Sequence, residues 1–121
     1  MVNPMLVKGQ IHGGIVQGLG QGLYENLAYD AGGQLLAGTF MDYAMPRADD
    51  MPGFEVGAHE VPTQVNPLGA KGVGEAGTVG ALPALMNAVN DALAASGVRH
   101  LDMPVTPERV WRAIHEARAV R

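Results

Sequence analysis

One carboxylate, Glu75, sits in the middle of the stretch GAKGVGEAGTVG (Gly69–Gly80), in which five of twelve residues are glycine. So much bare backbone around a single acid admits two kinds of chemistry. The backbone N–H groups can cradle an anion, or the carboxylate can act as a positioned general base. The residues that follow, ALPALMNAVNDALAA (81–95), have the composition of a helix, so the glycine run lies at a helix mouth. A helix N-terminus favours a negative charge. That gives a third, structural reading, in which Glu75 caps its own helix. Residue types alone do not decide between base and cap.

The other reactive residues form weaker patterns. The four histidines, His12, His59, His100 and His115, include no pair at the i, i+4 spacing of a helical metal site. Asp49 and Asp50 are adjacent and diverge, which gives little support to a paired-carboxylate hydrolase. There is no G-x-S-x-G elbow and no cysteine nucleophile. GVGEAG does spell G-x-G-x-x-G at Gly72, Gly74 and Gly77. A dinucleotide fingerprint also needs a buried strand just before it and a second strand bearing an acid about 20 residues on. Here the preceding segment holds Pro62 and Pro67, and the segment after the helix is short and broken by prolines. A nucleotide-binding module is thus a distant alternative. No P-loop pattern occurs.

The elements that must position these residues follow from periodicity. In QIHGGIVQGLGQGLYENLA (10–28), Ile11, Ile15, Leu19, Leu23 and Leu27 recur every four residues, which predicts a helix. Gly13, Gly14, Gly18, Gly20 and Gly22 lie inside it, each unfavourable by roughly 1 kcal/mol relative to alanine. Only close packing offsets that loss, so the segment reads as a glycine-lined helix pressed on a sheet. AGG (31–33) signals a turn before an apolar strand near Leu35 and Leu36, and Arg47, Asp49 and Asp50 read as a solvated turn. FEVGAHEV (54–61) alternates like a half-buried strand. The second helix should begin between Glu75 and Leu82 and end before Gly97, a candidate for the left-handed position that closes a helix. In the last segment Thr106 can cap, Pro107 suits the first helical position, and Val110, Ile114 and Ala117 form a stripe.

Bulk properties set limits. At 121 residues the chain is long enough for one domain, and 47% hydrophobic residues suffice for a core. A net charge of -4 gives no electrostatic reason to bind nucleic acid or anionic membranes. Without cysteine this chain cannot form disulfides, ligate Fe–S clusters or build a zinc–thiolate site, which fits a reducing, cytoplasmic setting. No apolar run approaches the ~18 residues of a membrane span.

Four segments, in order, carry a resemblance: GQIHGGIVQGLGQGLYE, FMDYAMPRA, VNPLGAKGVGEAGTVGALPALMNAVNDAL and DMPVTPERVWRAI. Together they resemble the C-terminal end of the large subunit of the molybdenum hydroxylases, the family of xanthine dehydrogenase, aldehyde oxidase and aerobic carbon monoxide dehydrogenase. The resemblance extends from Val2 to Ile114. It implies a molybdenum held by molybdopterin, often as the cytosine dinucleotide form, with no protein side chain on the metal. It implies that Glu75 is the base of a hydroxylation that takes its oxygen from water. Gln10 matches a glutamine whose amide approaches the metal's oxygen, and Lys71, Gly72, Val73 and Gly74 match a loop whose backbone lies along the cofactor. Fe–S clusters and FAD are implied on other domains or subunits.

The expected fold is α+β: two main helices and a C-terminal helix packed on a short sheet. Residues 1–121 would be the C-terminal portion of a larger molybdopterin-binding domain. The family's large subunit is several times longer, and its substrate-pocket loops lie upstream. The expected partners are the remainder of the large subunit and the Fe–S and flavin subunits, with self-association of the chain alone. The competing reading is an inactive fragment or a binding or structural module of the same fold.

Overall fold

The computed structural model describes residues 1–119. Three helices account for its regular structure: α1 (Pro4–Leu23), α2 (Ala76–Ala94) and α3 (Pro107–Ala119), with one 3₁₀ turn at Ala48–Asp50. The anticipated sheet is not there. Among the described residues the one β-pairing is an isolated antiparallel bridge between Tyr29 and Leu35. Residues 54–61 run without strand pairing; Phe54 and Val56 are half-buried, but Ala58, the next position of the alternation, is exposed. A strand needs a neighbour to satisfy its backbone, and alternation in sequence does not supply one. The α+β expectation is therefore corrected to an all-helical architecture joined by long loops.

α1 starts six residues earlier than its apolar spacing suggested. Asn3 is its N-cap and accepts from the Leu6 N–H at 3.1 Å, and Pro4 fills the first position. This places Gln10 inside the helix rather than at its mouth. The apolar stripe is half-buried at Ile11, Ile15, Leu19 and Leu23, and its expected last member, Leu27, lies exposed beyond the helix end, whereas Gly14, Gly18, Gly20 and Gly22 are buried. The glycine face packs against α2, not against a sheet.

The α1–α2 contact is a ladder of small residues. A Cβ added at Gly14 would meet the Thr78 N at 3.0 Å and the Gly77 Cα at 3.1 Å. One at Gly18 would meet the Ala81 Cβ at 2.7 Å, and one at Gly22 would collide with Leu85. Both helices therefore present every fourth residue, the ridge that interdigitates in close helix pairs. The rungs Gly14–Gly77, Gly18–Ala81 and Gly22–Leu85 ascend together, so the helices run parallel and in one register.

α2 contains Pro83, which removes one backbone hydrogen bond from the helix interior. Its end is well specified. Gly97 adopts φ 87°, its N–H donates to the Ala94 carbonyl at 3.0 Å, and the Val98 N–H reaches the Leu93 carbonyl at 3.3 Å. Leu93 and Val98 are both buried, the apolar contact that accompanies this terminus. Asn90 then ties down the following segment, accepting from the Leu101 N–H at 2.8 Å. Val105, only 2% exposed, donates its N–H to the Gly22 carbonyl at the end of α1. Thr106 caps α3 as anticipated, accepting from the Arg109 N–H at 3.4 Å.

Much apolar surface is uncovered. Phe40, Met41, Val65 and Leu68 are each at least 79% exposed, and no residue of α3 is buried.

Candidate functional site

Glu75 occupies the N-cap position of α2, with its backbone at φ −100° and ψ −1°. Its side chain makes no capping hydrogen bond, so the self-capping role is excluded. The residue is exposed, and its carboxylate has no hydrogen-bond or ion-pair partner among the described residues.

The loop leading to it is fixed at both ends and open between. At the near end Asn66 acts as a staple: its Oδ1 accepts from the Leu68 and Ala70 N–H groups at 3.1 Å each, and its Nδ2 donates to the Ala70 carbonyl at 2.9 Å. Gly69 turns at φ 63°, and a Cβ there would meet the Pro62 Cβ at 2.9 Å, so glycine is required. At the far end, Gln10 Nε2 donates to the Gly74 carbonyl at 3.0 Å, and Thr78 Oγ1 donates to the Gly14 carbonyl at 3.0 Å. Between these anchors the N–H groups of Lys71, Gly72, Val73, Gly74 and Glu75 have no acceptor among the described residues. A Cβ at Gly72 or Gly74 would meet nothing within 4 Å, so the backbone faces open space.

Against this loop lies a groove of about 390 Å³, walled by Val7 and Ile11 of α1 and by Val61, Leu68, Lys71 and Val73. It combines apolar walls, the Lys71 side chain and the unpaired backbone N–H groups of Lys71, Gly72 and Val73, with the Glu60 carboxylate in its lining neutralised by the Met1 ammonium. Those groups suit an elongated ligand that carries phosphate or other anionic oxygens. Among the described residues no three His, Asp or Glu side chains converge to hold a metal ion.

The remaining candidates lie elsewhere. His12 packs its ring edge-on to Phe54 at 5.6 Å, and its buried Nε2 has no partner. His100 pairs with Asp102 at 2.9 Å, and His115 stacks on Trp111 at 5.0 Å on exposed α3. A wider, open groove of about 860 Å³ runs between the end of α2 and α3, past Val98, Leu101 and Ala113, and it does not include the Glu75 loop. Pro46 of the FMDYAMP segment packs over Gly20 at the far end of α1. Nearby, the Tyr43 phenol is raised above its usual value, first by loss of solvent and then by the Glu25 carboxylate.

The site thus gathers Gln10, Lys71, Gly72, Val73, Gly74 and Glu75 on one side of the helix pair. Asn66 and Thr78 escaped the sequence reading. An Asn-Pro pair is a turn initiator and could have flagged Asn66. Nothing in sequence alone points Thr78 at α1.

Residues 1–52 match a family model described as the molybdopterin cofactor-binding domain. The large subunit of nicotine 6-hydroxylase from Paenarthrobacter nicotinovorans is 48% identical over 93% of this chain and 14% of its own length. The large chain of carbon monoxide dehydrogenase from Hydrogenophaga pseudoflava is 44% identical over 95% of this chain and 14% of its own. This chain matches the molybdopterin-binding large subunits of the molybdenum hydroxylases. It corresponds to their C-terminal region and spans about one seventh of the length of those relatives. The crystal structure of quinoline 2-oxidoreductase from Pseudomonas putida 86 superposes with a TM-score of 0.89 at 46% identity, over 96% of this chain and 15% of that one. The Cu,Mo-CO dehydrogenase structure gives 0.87 at 37% identity, over 95% of this chain and 14% of its own. Among the described residues no helix is long and apolar enough to cross a membrane.

Proposed function

We propose that this chain is the base-bearing C-terminal part of a molybdenum-dependent hydroxylase acting on an aldehyde, an N-heterocycle or carbon monoxide. One observation carries the reading. An exposed carboxylate with no partner stands at the end of five free backbone N–H groups, beside a groove fit for an anionic cofactor. The backbone from Lys71 to Gly74 and the Lys71 ammonium would hold molybdopterin, in its cytosine dinucleotide form. That cofactor supplies a two-electron oxidation in which water provides the oxygen. With that group bound, Glu75 would serve as the proton acceptor, since its carboxylate is unoccupied by internal hydrogen bonds. Gln10 keeps its second amide hydrogen after binding the Gly74 carbonyl and would have it to offer to the cofactor.

The rest of a large subunit completes the domain, and Fe–S and flavin subunits carry the electrons away in a cytoplasmic assembly. The exposed apolar residues favour this over a self-sufficient module, and the chain alone is inactive. Glu75→Gln in the assembled enzyme tests the assignment. Turnover should fall by roughly 10²–10⁴-fold, the usual worth of a general base, while molybdenum content stays unchanged. Near-normal turnover would remove Glu75 from the role.

A further inference from the structure

We propose that Thr78 is a positioning residue for Glu75, acting with Gln10 as a two-point clamp that fixes the Glu75 turn to α1. The proposal rests on the reading of Glu75 as the base. The Glu75 carboxylate makes no bond of its own, so its location is set by its backbone alone. α1 holds that backbone on both sides. Before Glu75, the Gly74 carbonyl accepts from Gln10 Nε2 at 3.0 Å; after it, Thr78 Oγ1 donates to the Gly14 carbonyl at 3.0 Å. Gln10 and Gly14 are one helical turn apart and lie on one face of α1. The two bonds therefore act as parallel ties to a single rigid edge.

Gly77 lets the clamp close. A Cβ there would meet the Ile11 carbonyl oxygen at 2.5 Å and the Ile15 nitrogen at 2.9 Å. Only glycine allows α2 to approach until the Thr78 hydroxyl reaches across. Gly14 is buried, so the tie between Thr78 and its carbonyl sits in the helix contact rather than in solvent. Threonine also suits the task because its branched Cβ restricts χ1, which keeps the hydroxyl aimed.

The test compares Thr78→Val, which keeps the shape and removes the donor, with Thr78→Ser, which keeps the donor. In the assembled enzyme, Thr78→Val should lower kcat by about 10–100-fold through misplacement of the base, with KM and molybdenum content unchanged. Thr78→Ser should restore most of it. Amide hydrogen exchange at Ala76 and Val79, whose N–H groups donate to the Val73 and Glu75 carbonyls at 3.2 and 3.0 Å, gives a readout independent of turnover. It should speed up by about fivefold in Thr78→Val, the effect of one hydrogen bond, and stay near wild type in Thr78→Ser. Unchanged exchange in Thr78→Val, equal impairment of both variants, or loss of molybdenum from Thr78→Val would each overturn the clamp. If Glu75→Gln keeps its turnover, the base assignment fails separately, and the exchange rates still decide whether the clamp exists.

Discussion

Gly77 and Gly80 lie three residues apart on α2, and alanine should act on them in opposite directions. A Cβ at Gly77 would stand 2.5 Å from the Ile11 carbonyl oxygen, 2.9 Å from the Ile15 nitrogen and 3.1 Å from the Gly14 carbonyl carbon. All three are backbone atoms of α1, so no side chain can swing aside. Ordinary contact begins near 3.4 Å, so α2 must retreat by roughly 0.9 Å. That takes the Thr78–Gly14 bond beyond hydrogen-bond range and forfeits about 1 kcal/mol. Overpacking of a tight contact adds about 1–3 kcal/mol, and the better helix propensity of alanine returns about 1. The net is a destabilisation of about 2 kcal/mol. At Gly80 a Cβ meets nothing within 4 Å, so alanine there should stabilise by about 1 kcal/mol. For a chain of this size 1 kcal/mol moves Tm by about 4 °C. Thermal unfolding followed by circular dichroism should show Gly77→Ala melting about 8 °C lower than wild type and Gly80→Ala about 4 °C higher. If Gly77→Ala melts at or above the wild-type temperature, the close backbone contact between α1 and α2 is wrong.

Asn90→Ala removes the acceptor for the Leu101 N–H and the donor to the Met86 carbonyl, so urea titration should show a loss of about 1–3 kcal/mol. With Met41 at 92% and Val65 at 91% exposure, the isolated chain should self-associate in sedimentation velocity, and a monomer at high concentration would contradict the reading of an uncovered face.

The helix ends were legible where the backbone itself is constrained. Gly97 was expected to close α2 and does so at positive φ, and Thr106-Pro107 opened α3 as read. The start of α1 was missed because the apolar spacing drew attention to Ile11 and beyond, while the Asn3-Pro4 pair is the stronger physical signal. The burial of that helix was also misassigned. Ile11, Ile15 and Leu19 mark a face but not its depth, whereas Gly14, Gly18 and Gly22 mark where another backbone comes close. What that backbone belongs to is not written in α1, and a sheet was inferred where a second helix lies. The alternation over 54–61 likewise reported half-burial at Phe54 and Val56 without naming a partner. Within the site, Glu75 was visible as the odd residue of its run. The tie between Gln10 and the Gly74 carbonyl just before it joins positions 64 apart in sequence, a distance at which spacing rules carry no information.

The parallel register has a consequence for how the chain comes to be folded. Each rung of the ladder joins residues 63 apart (77 − 14, 81 − 18, 85 − 22), so none of these contacts is local. At synthesis rates of roughly 5–20 residues per second, the α1 segment leaves the ribosome about 3–13 s before the residues that will cover it. With six glycines in twenty positions, it is a poor helix during that wait, since nucleation is unfavourable and each glycine opposes propagation. α1 is thus a product of docking rather than a preformed half. Because Glu75 opens the very helix that docks, the base and the surface that seats it come into being in one late event.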